Sequence, residues 1–478
     1  MIGHARLRIY CSKEKDSCPV NSISCHNIGM NSPIVICGAG ITGVSAAWHL
    51  AHLGVRDILL VDERPPLSLT SDRSTECYRN WWPEPNMLAL MNRSIDLMEE
   101  LADESGDAFH INRRGYLYVT ADADGLPAFR ARAARTSGRG AGELRIHASA
   151  DSPYRPAKAE GWRGEPDGAD LLLDPSLIRK HFPYLAENVV AALHARRAGW
   201  LSAQQLGMTL LERGRRLGVR FEAARVTGVE IANGRVRAVK LGDGRRVETS
   251  VFVNAAGPHF KEVGNLLSVD LPVHTELHLK MAIKDPLGAV GRDAPLLIWD
   301  DEQSLPWEAD ERAALLEDPS TRWLAGRFPG GAHTRPEGGA GSEALVMLWE
   351  YQTRLSPPIE PPALDANFPE VTLRGMAAMI PRLREYFNKM PRPLMDGGYY
   401  AKTPDNLPLV GPLDADGAYA VGAVSGYGIM SACAIGELLA AHVAGASLPA
   451  YASAFHPSRF DDPSYMKRLE ELGESGQL

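Results

Sequence analysis

The 478-residue chain has no run of about eighteen apolar residues, which excludes a hydrophobic transmembrane helix. The nearest approach, Ala418 to Ala434, is broken by glycines and by Ser425 and Ser431 and reads as a buried strand, a glycine turn and a helix. Residues 1–30 lack the apolar stretch that a secretory signal needs. Cysteine is scarce, with 6 in all and no CxxC pair, so neither a zinc template nor a disulfide framework is expected, and a cytoplasmic setting is. Cys11, Cys18 and Cys25 are evenly spaced near the start, while Cys37, Cys77 and Cys433 are scattered. Positive charge is not in excess: 51 Lys and Arg against 59 Asp and Glu give a net charge of -8, which argues against nucleic-acid or membrane-surface partners. The local cluster Arg130, Arg132 and Arg135 reads as a solvated helix face. There is no internal repeat, and no His, Cys and acid cluster suggests a metal. With 45% hydrophobic and 23% charged residues, the chain has an ordinary globular composition and room for two or three domains.

What is present is concentrated in one stretch. Ile34-Val-Ile-Cys-Gly38-Ala-Gly40-Ile-Thr-Gly43 is followed by an apolar helix and then by Ile58-Leu-Leu-Val-Asp62-Glu63. Strand, glycine turn, helix, strand and acid in that order form a dinucleotide-binding βαβ unit. Gly38 permits the tight turn, Gly40 lets the backbone approach a pyrophosphate, and Gly43 lets the helix lie close on the sheet. The helix N-terminus offers free N–H groups and partial positive charge. Asp62, roughly twenty residues after the last glycine, is placed to accept from a ribose hydroxyl. Because Met30 stands just before the first strand, the expectation is that translation starts there or that the preceding tail is disordered.

Further along, residues 87–105 carry Met and Leu at helical spacing, which reads as core packing. Residues 115–120 read as a strand, and residues 131–170, rich in Gly, Arg and Ala, as a loop or irregular insertion. Residues 206–217 form a helix and residues 226–253 an antiparallel meander with turns at Asn233-Gly234 and Asp243-Gly244. The meander ends in a buried strand running into a second glycine turn, Asn254-Ala-Ala-Gly257-Pro258. Candidate strands follow at 274–283, 296–300 and 344–353, and Pro381 breaks the helical pattern of 370–387. Strands at 407–411 and 418–422 precede a glycine turn and a helix from Ser431 to Ala444. The chain therefore reads as α/β (α+β), with a discontinuous nucleotide-binding domain of residues 32–81, 186–262 and 396–450. A substrate or cap domain takes residues 82–185 and 263–395, residues 1–31 form a disordered N-terminal extension, and residues 451–478 form a C-terminal tail.

Four motifs occur in order: Gly38-Ala-Gly40-Ile-Thr-Gly43, Asn254-Ala-Ala-Gly257-Pro258, Thr403-Pro-Asp-Asn-Leu-Pro-Leu-Val-Gly411-Pro412 and Gly422-Ala-Val-Ser-Gly426-Tyr-Gly428. Together they resemble the signatures of the D-amino-acid oxidase superfamily, in particular its glycine oxidase, sarcosine oxidase and dimethylglycine dehydrogenase branch. The resemblance covers roughly residues 32–450. It implies FAD, a glutathione-reductase-like FAD-binding domain and a second antiparallel-sheet substrate domain covering the flavin. It also implies oxidation of a secondary or N-alkylated amine or amino acid by hydride transfer, with oxygen or an electron carrier as acceptor. A single βαβ fingerprint with two further glycine turns independently favours FAD over a nicotinamide cofactor, since a flavin needs several backbone approaches along its length.

The positions assigned to the cofactor are Gly38, Gly40, Ile41, Thr42 and Gly43; Asp62, Glu63 and Arg64; Ser74 and Thr75; Val226; Ala256 and Gly257; and Gly422, Gly426, Tyr427, Gly428, Ile429 and Met430. The catalytic candidates are Arg79, Glu350, Tyr400, Lys402 and Tyr427. Arg79 follows the segment that lies beside the flavin in related oxidases, and reads either as a carboxylate anchor or flavin contact or as a surface Arg. Residues 344–351 resemble the strand that carries an active-site His and Lys in sarcosine oxidases; neither is present, Glu350 or Tyr351 takes roughly that place, and Glu350 reads as a partner for a cationic amine or as a solvated strand-edge acid. Lys280 is a further candidate, whereas His259 and His278 read as structural. Where the family links flavin through Cys this chain has Gly398, and residues 70–79 hold no His, so FAD is expected to be non-covalent. The family's carboxylate-anchoring Lys falls on Met430. Two rival readings stay open, a D-amino-acid or 2-hydroxy-acid dehydrogenase and an FAD-bound subunit or assembly factor with little activity of its own, and the chain leaves an oligomer or heteromer open.

Overall fold

The computed structural model describes residues 32–339 and 341–472. The expectations for residues 1–31, including the three evenly spaced cysteines and the start at Met30, lie outside the described residues. Among the described residues no helix is long and apolar enough to cross a membrane.

Two large sheets organise the chain. The first has six strands in the order Leu409–Pro412, Ala418–Gly422, Val251–Asn254, Ile34–Cys37, Ile58–Asp62 and Val219–Ala223. All its pairings are parallel except that of Leu409–Pro412 with Ala418–Gly422. The continuous apolar runs of the central strands follow from burial on both faces: helices cover one, and on the other Val35, Leu59, Val61 and Phe252 pack with Val226, Val236, Val239 and Leu241 of the three-stranded meander. The helices Ile41–His52 and Gly428–Ala444 pack on each other, and the close fit needs glycine: a Cβ on Gly436 would stand 2.3 Å from Ser45 Oγ.

The second sheet has nine strands, running Leu394–Lys402, His274–Lys284, Ala344–Leu348, Ala332–Pro336, Leu296–Trp299, Tyr116–Thr120, Ala191–Ala195, Ala169–Leu172 and Leu144–His147. It is antiparallel apart from two parallel pairings, Leu296–Trp299 with Tyr116–Thr120 and Leu144–His147 with Ala169–Leu172. Alternation along each strand sorts its two faces. Met281, Ile283, Leu345, Met347, Leu297, Trp299, Leu117 and Val119 enter an apolar core roofed by the helix Phe368–Met379. The residues between them, among them His278, Lys280, Tyr116 and Tyr118, occupy the opposite face.

Several elements differ from the sequence reading, each for a local reason. Residues 131–170 are not a loop throughout: they contribute most of the helix Leu126–Thr136 and two strands at the sheet edge. The helix buries only Phe129, Ala133 and Thr136, so its apolar periodicity is faint. The meander is a separate three-stranded sheet, and its last segment, Val251–Asn254, leaves it to pair in parallel with Ile34–Cys37. The strands Ala191–Ala195 and Leu394–Lys402 hydrogen-bond into the nine-stranded sheet rather than the six-stranded one. The last long helix starts at Gly428, three residues before the expected Ser431.

The Thr403-Pro-Asp405 motif owes its acid to a structural junction. Asp405 accepts from Arg459 Nε at 2.7 Å and Nη2 at 3.0 Å, from Tyr465 at 2.6 Å, from Thr403 Oγ1 at 2.8 Å and from the Leu407 N–H at 2.9 Å. It therefore ties residues 457–465 to the turn before Leu409–Pro412. Both charges are buried, so removing one leaves the other uncompensated, and Asp405→Ala should cost about 3–5 kcal/mol in denaturant unfolding. Burial acts to raise the Asp405 carboxyl, but Arg459, Tyr465 and the Leu407 N–H hold it below its ordinary value. A depressed folded-state value contributes stability above pH ~4 that is lost as acid protonates the group, so this increment should vanish on acidification. An Asp405→Ala variant with wild-type stability at pH 7 would contradict this account.

Candidate active site

The three glycine turns converge on one cavity. Gly38, at φ +112°, donates its N–H to Val61 O at 2.9 Å. A Cβ there would stand 2.2 Å from Ala255 O, so the first and second turns touch at this point. A Cβ on Gly43 would meet Gly38 O at 2.0 Å, which is the close helix approach expected of it. Gly40 has extended backbone that any residue adopts, and its open side faces the cavity and Ser71 Oγ. The helix N-terminus is partly satisfied, since Ile41 N–H donates to Ser71 Oγ at 3.0 Å.

Asp62 reaches the cavity from the end of its strand while holding the turn: it accepts from Ala39 N–H at 2.9 Å and from Arg64 N–H at 3.0 Å. A carboxylate has about four acceptor positions, so these two bonds leave capacity for a hydroxyl. In the second turn the Asn254 amide donates to Phe260 O at 2.8 Å and its oxygen accepts from Ala256 N–H at 3.2 Å, which presents Ala256 and Gly257 to the cavity. The third turn is conformationally demanding. Ala423, Ser425 and Gly426 all have positive φ, a cost tolerated where the surroundings fix the shape. Gly426 is required there, because a Cβ would stand 2.4 Å from the Tyr400 ring.

Of the positions assigned to the cofactor, Gly38, Gly40, Ile41, Thr42, Asp62, Arg64, Ser74, Ala256, Gly257, Gly422, Gly426, Gly428 and Ile429 line this cavity. Gly43 is buried behind it and Glu63 is exposed at its margin, paired with Arg64 at 3.2 Å. Thr75 lines a smaller recess. Val226 belongs to an apolar cluster with Val35, Val61 and Phe252, and Met430 is buried in the helix; neither lines the cavity.

The catalytic candidates fall into two groups. Arg79 and Tyr427 meet at an aromatic cage. The Arg79 guanidinium lies 4.5 Å from the Trp82 ring and 5.7 Å from that of Tyr116, and donates to the Tyr118 hydroxyl at 2.9 Å. Trp82 in turn packs edge-on against Tyr427 at 4.5 Å. Arg79 is thus buried, not at the surface. Glu350, Tyr400 and Lys402 form the second group around His278 and Glu276. His278 Nδ1 is 3.0 Å from Glu350 Oε1 and Nε2 is 3.1 Å from Glu276 Oε2, while Lys402 Nζ is 2.7 Å from the same Glu276 oxygen. Burial opposes a charge on His278, but Glu350 and Glu276 raise its pKa. Hydrogen bonding from His278 and Lys402 holds Glu276 down at about 2 against the opposing effect of burial. Glu350 is half-buried beside His278 and so is not a solvated edge residue. Lys280 donates to Ser74 O at 2.9 Å, and burial lowers its pKa.

Sequence reasoning missed Ser71, Glu276 and the cage tyrosines Tyr116 and Tyr118, and took His278 for a structural residue. One signal was available. His274, Glu276, His278 and Lys280 alternate with Thr275, Leu277, Leu279 and Met281, so from 274 to 280 one face of this strand is polar and must meet something other than core.

This cradle can be compared with known proteins. Residues 33–442 match the family model described as DAO, FAD dependent oxidoreductase. The chain belongs to this family. FAD is the family's cofactor, and the lining fits it: backbone approaches at three glycine turns, free acceptor capacity on Asp62 and two neighbouring helix N-termini, at Ile41 and Gly428, on the cavity wall. Rat mitochondrial dimethylglycine dehydrogenase is 24% identical over 437 residues, covering 89% of this chain and 44% of the relative, so the chain spans under half of that protein. Among solved structures, L-proline dehydrogenase from P. horikoshii superposes with a TM-score of 0.69 at 20% identity, covering 90% of this chain and 98% of the other. Glycine oxidase from Geobacillus kaustophilus superposes with a TM-score of 0.67 at 15% identity, with the same coverages of 90% and 98%. These likenesses establish the fold of an FAD-dependent oxidoreductase.

Proposed function

We propose that this oxidoreductase oxidises the carbon–nitrogen bond of an amino acid bearing a secondary or N-alkylated amine. The observation that carries the reading is the buried guanidinium of Arg79, held in an aromatic cage next to the turn that bears Gly426 and Tyr427. A planar guanidinium is the natural partner of a carboxylate. The similar proteins are named for dimethylglycine, L-proline and glycine, which all join a carboxylate to an amine-bearing carbon.

When bound, FAD accepts the hydride from the carbon next to the nitrogen. The chain's task is to hold the substrate in position. Arg79 grips the carboxylate, Trp82 and Tyr427 wall the apolar part, and Tyr400 and Glu350 face the amine side. The amine must be neutral to give up hydride, and the resulting imine is hydrolysed by water after release. Gly38 to Gly43, Asp62, Ala256, Gly257, Gly422 and Gly426 to Ile429 would hold the cofactor. Its attachment is non-covalent in this reading. The thiol nearest the early segment, Cys77, donates to Thr75 O at 3.0 Å, and burial pushes its pKa up.

The test is an absorbance spectrum before and after acid precipitation, then anaerobic titration with N-methyl amino acids, cyclic imino acids and the corresponding decarboxylated amines. A yellow supernatant and bleaching by an N-alkylated amino acid are expected. Yellow protein that only 2-hydroxy acids bleach, or that nothing in the panel bleaches, would overturn the reading in favour of a different donor or a non-catalytic subunit.

A further inference from the structure

We propose that Glu276, His278 and Glu350 form one positioning unit, an imidazolium clamped between two carboxylates, and that substrate oxidation requires this unit to keep its proton because it fixes Tyr400. The proposal rests on the reading above, since it concerns the same site.

The placement of charge favours a protonated ring. Both ring nitrogens of His278 face carboxylate oxygens, Glu276 at 3.1 Å and Glu350 at 3.0 Å. The Nε2 contact is a hydrogen bond, whereas the Nδ1 contact is a close ion-pair approach out of hydrogen-bond alignment, so the ring is drawn to its cationic form by the charge of the two acids on either side of it. The local sum agrees. Glu276 and Glu350 are balanced by Lys402, 2.7 Å from Glu276, and by an imidazolium, whereas a neutral ring would leave a half-buried negative charge uncompensated. The surrounding groups do not alter this. His274 approaches Glu276 at 3.4 Å, Lys280 is turned to Ser74 O, His333 on the neighbouring strand acts on Glu350 but is engaged by Gly331 O at 2.8 Å and kept neutral by burial, and Arg73, from the segment after Asp62, is engaged by Glu360 at 2.7 Å and Asp396 at 3.5 Å.

The clamped ring is a seat for Tyr400. The His278 and Tyr400 rings stack at 4.0 Å with 16° between their planes, a favourable contact for a cation against an aromatic face. Across the Tyr400 ring lies Gly426, whose missing side chain leaves just enough room. Tyr400 is thus held between the imidazolium and the third glycine turn, and it lines both the large cavity and the smaller recess that contains Glu350. Loss of the proton sets a lone pair against one carboxylate, opens the clamp and frees the tyrosine ring. His278 is a positioning residue, and its effect should appear in kcat more than in KM.

The experiment combines histidine-selective NMR titration of the FAD-loaded protein, with the His278 signal assigned by its loss in His278→Asn, and the pH dependence of anaerobic flavin reduction by the best substrate. His278 should titrate clearly above the ordinary histidine value of about 6.5, and kcat should show an alkaline limb at the same pH. His278→Asn should lower kcat by about 10- to 100-fold with KM changed less than about threefold, and should lack that limb. Glu350→Gln keeps the shape of the site but removes one charge, so it should shift the His278 titration and the limb together by about one pH unit toward acid. A His278 signal titrating at or below about 6.5, or a limb unchanged in both variants, overturns the proposal. Should His278→Asn fail to fold, the wild-type and Glu350→Gln titrations decide alone. Should no amine reduce the flavin, the functional reading fails, while the NMR titration still tests the clamp.

Discussion

Replacing Gly38 with Val should yield protein that is colourless and destabilised by about 2–5 kcal/mol. Two costs add. The residue sits at φ +112°, where an L side chain is strained by about 1–2 kcal/mol. Its Cβ would stand 2.2 Å from the Ala255 carbonyl of the second glycine turn, whose own N–H is tied to Cys37 O at 2.8 Å, and overpacking of that kind costs about 1–3 kcal/mol. Gly40→Ala provides the contrast. Its backbone is extended and the nearest atom to a new Cβ is Ser71 Oγ at 3.5 Å, so the fold should persist with near wild-type denaturant stability. The methyl group would instead occupy the cavity wall and weaken FAD binding by about 10- to 100-fold. Gly54→Ala, at φ +99° with open space around it, isolates the backbone strain and should cost only about 1 kcal/mol without touching the cofactor. If Gly38→Val and Gly54→Ala proved equally stable, the steric contact with Ala255 would not be what selects glycine at the first turn.

These glycines explain why the cradle was legible in the sequence. Each turn is constrained within a few residues, by a positive φ or a backbone approach that glycine alone tolerates, and so leaves a local mark. The clamp leaves no such mark. Glu276 and His278 meet Glu350 only because Lys280 pairs with Leu348, and meet Tyr400 and Lys402 only because Glu276 pairs with Tyr400. Nothing near any one of these residues announces that register. Arg79 was legible as a candidate, but its surroundings were not: Tyr116 and Tyr118 arrive from a strand placed by its pairing with Leu296–Trp299. The segment 131–170 was misread for the opposite reason, since its helix and the edge strand Leu144–His147 bury too little to impose a pattern.

Arg79 should decide whether the enzyme recognises an amino acid or merely an amine. A charge-assisted pair between a buried guanidinium and a carboxylate, once broken, costs about 2–5 kcal/mol, so Arg79→Met should lower kcat/KM for the preferred amino acid by about 10²- to 10³-fold. Met is chosen because it fills the space against Trp82 without charge. The informative quantity is a ratio. Wild-type protein should prefer the amino acid to its decarboxylated counterpart by a factor of that order, and Arg79→Met should erase the preference by losing the acid, not by gaining the amine. Arg79→Lys should recover little. A lysine ammonium is a point charge that cannot stack flat on Trp82 at 4.5 Å while donating to Tyr118 at 2.9 Å, so the anchor would lose both its support and its two-pronged geometry. FAD content should be unchanged in both variants, because Arg79 does not line the cavity that the three glycine turns enclose. A preference that survives Arg79→Met would transfer the carboxylate to another cation. Lys280 would then be the first to examine, since its ammonium lies in the recess beside Glu350 and Tyr400.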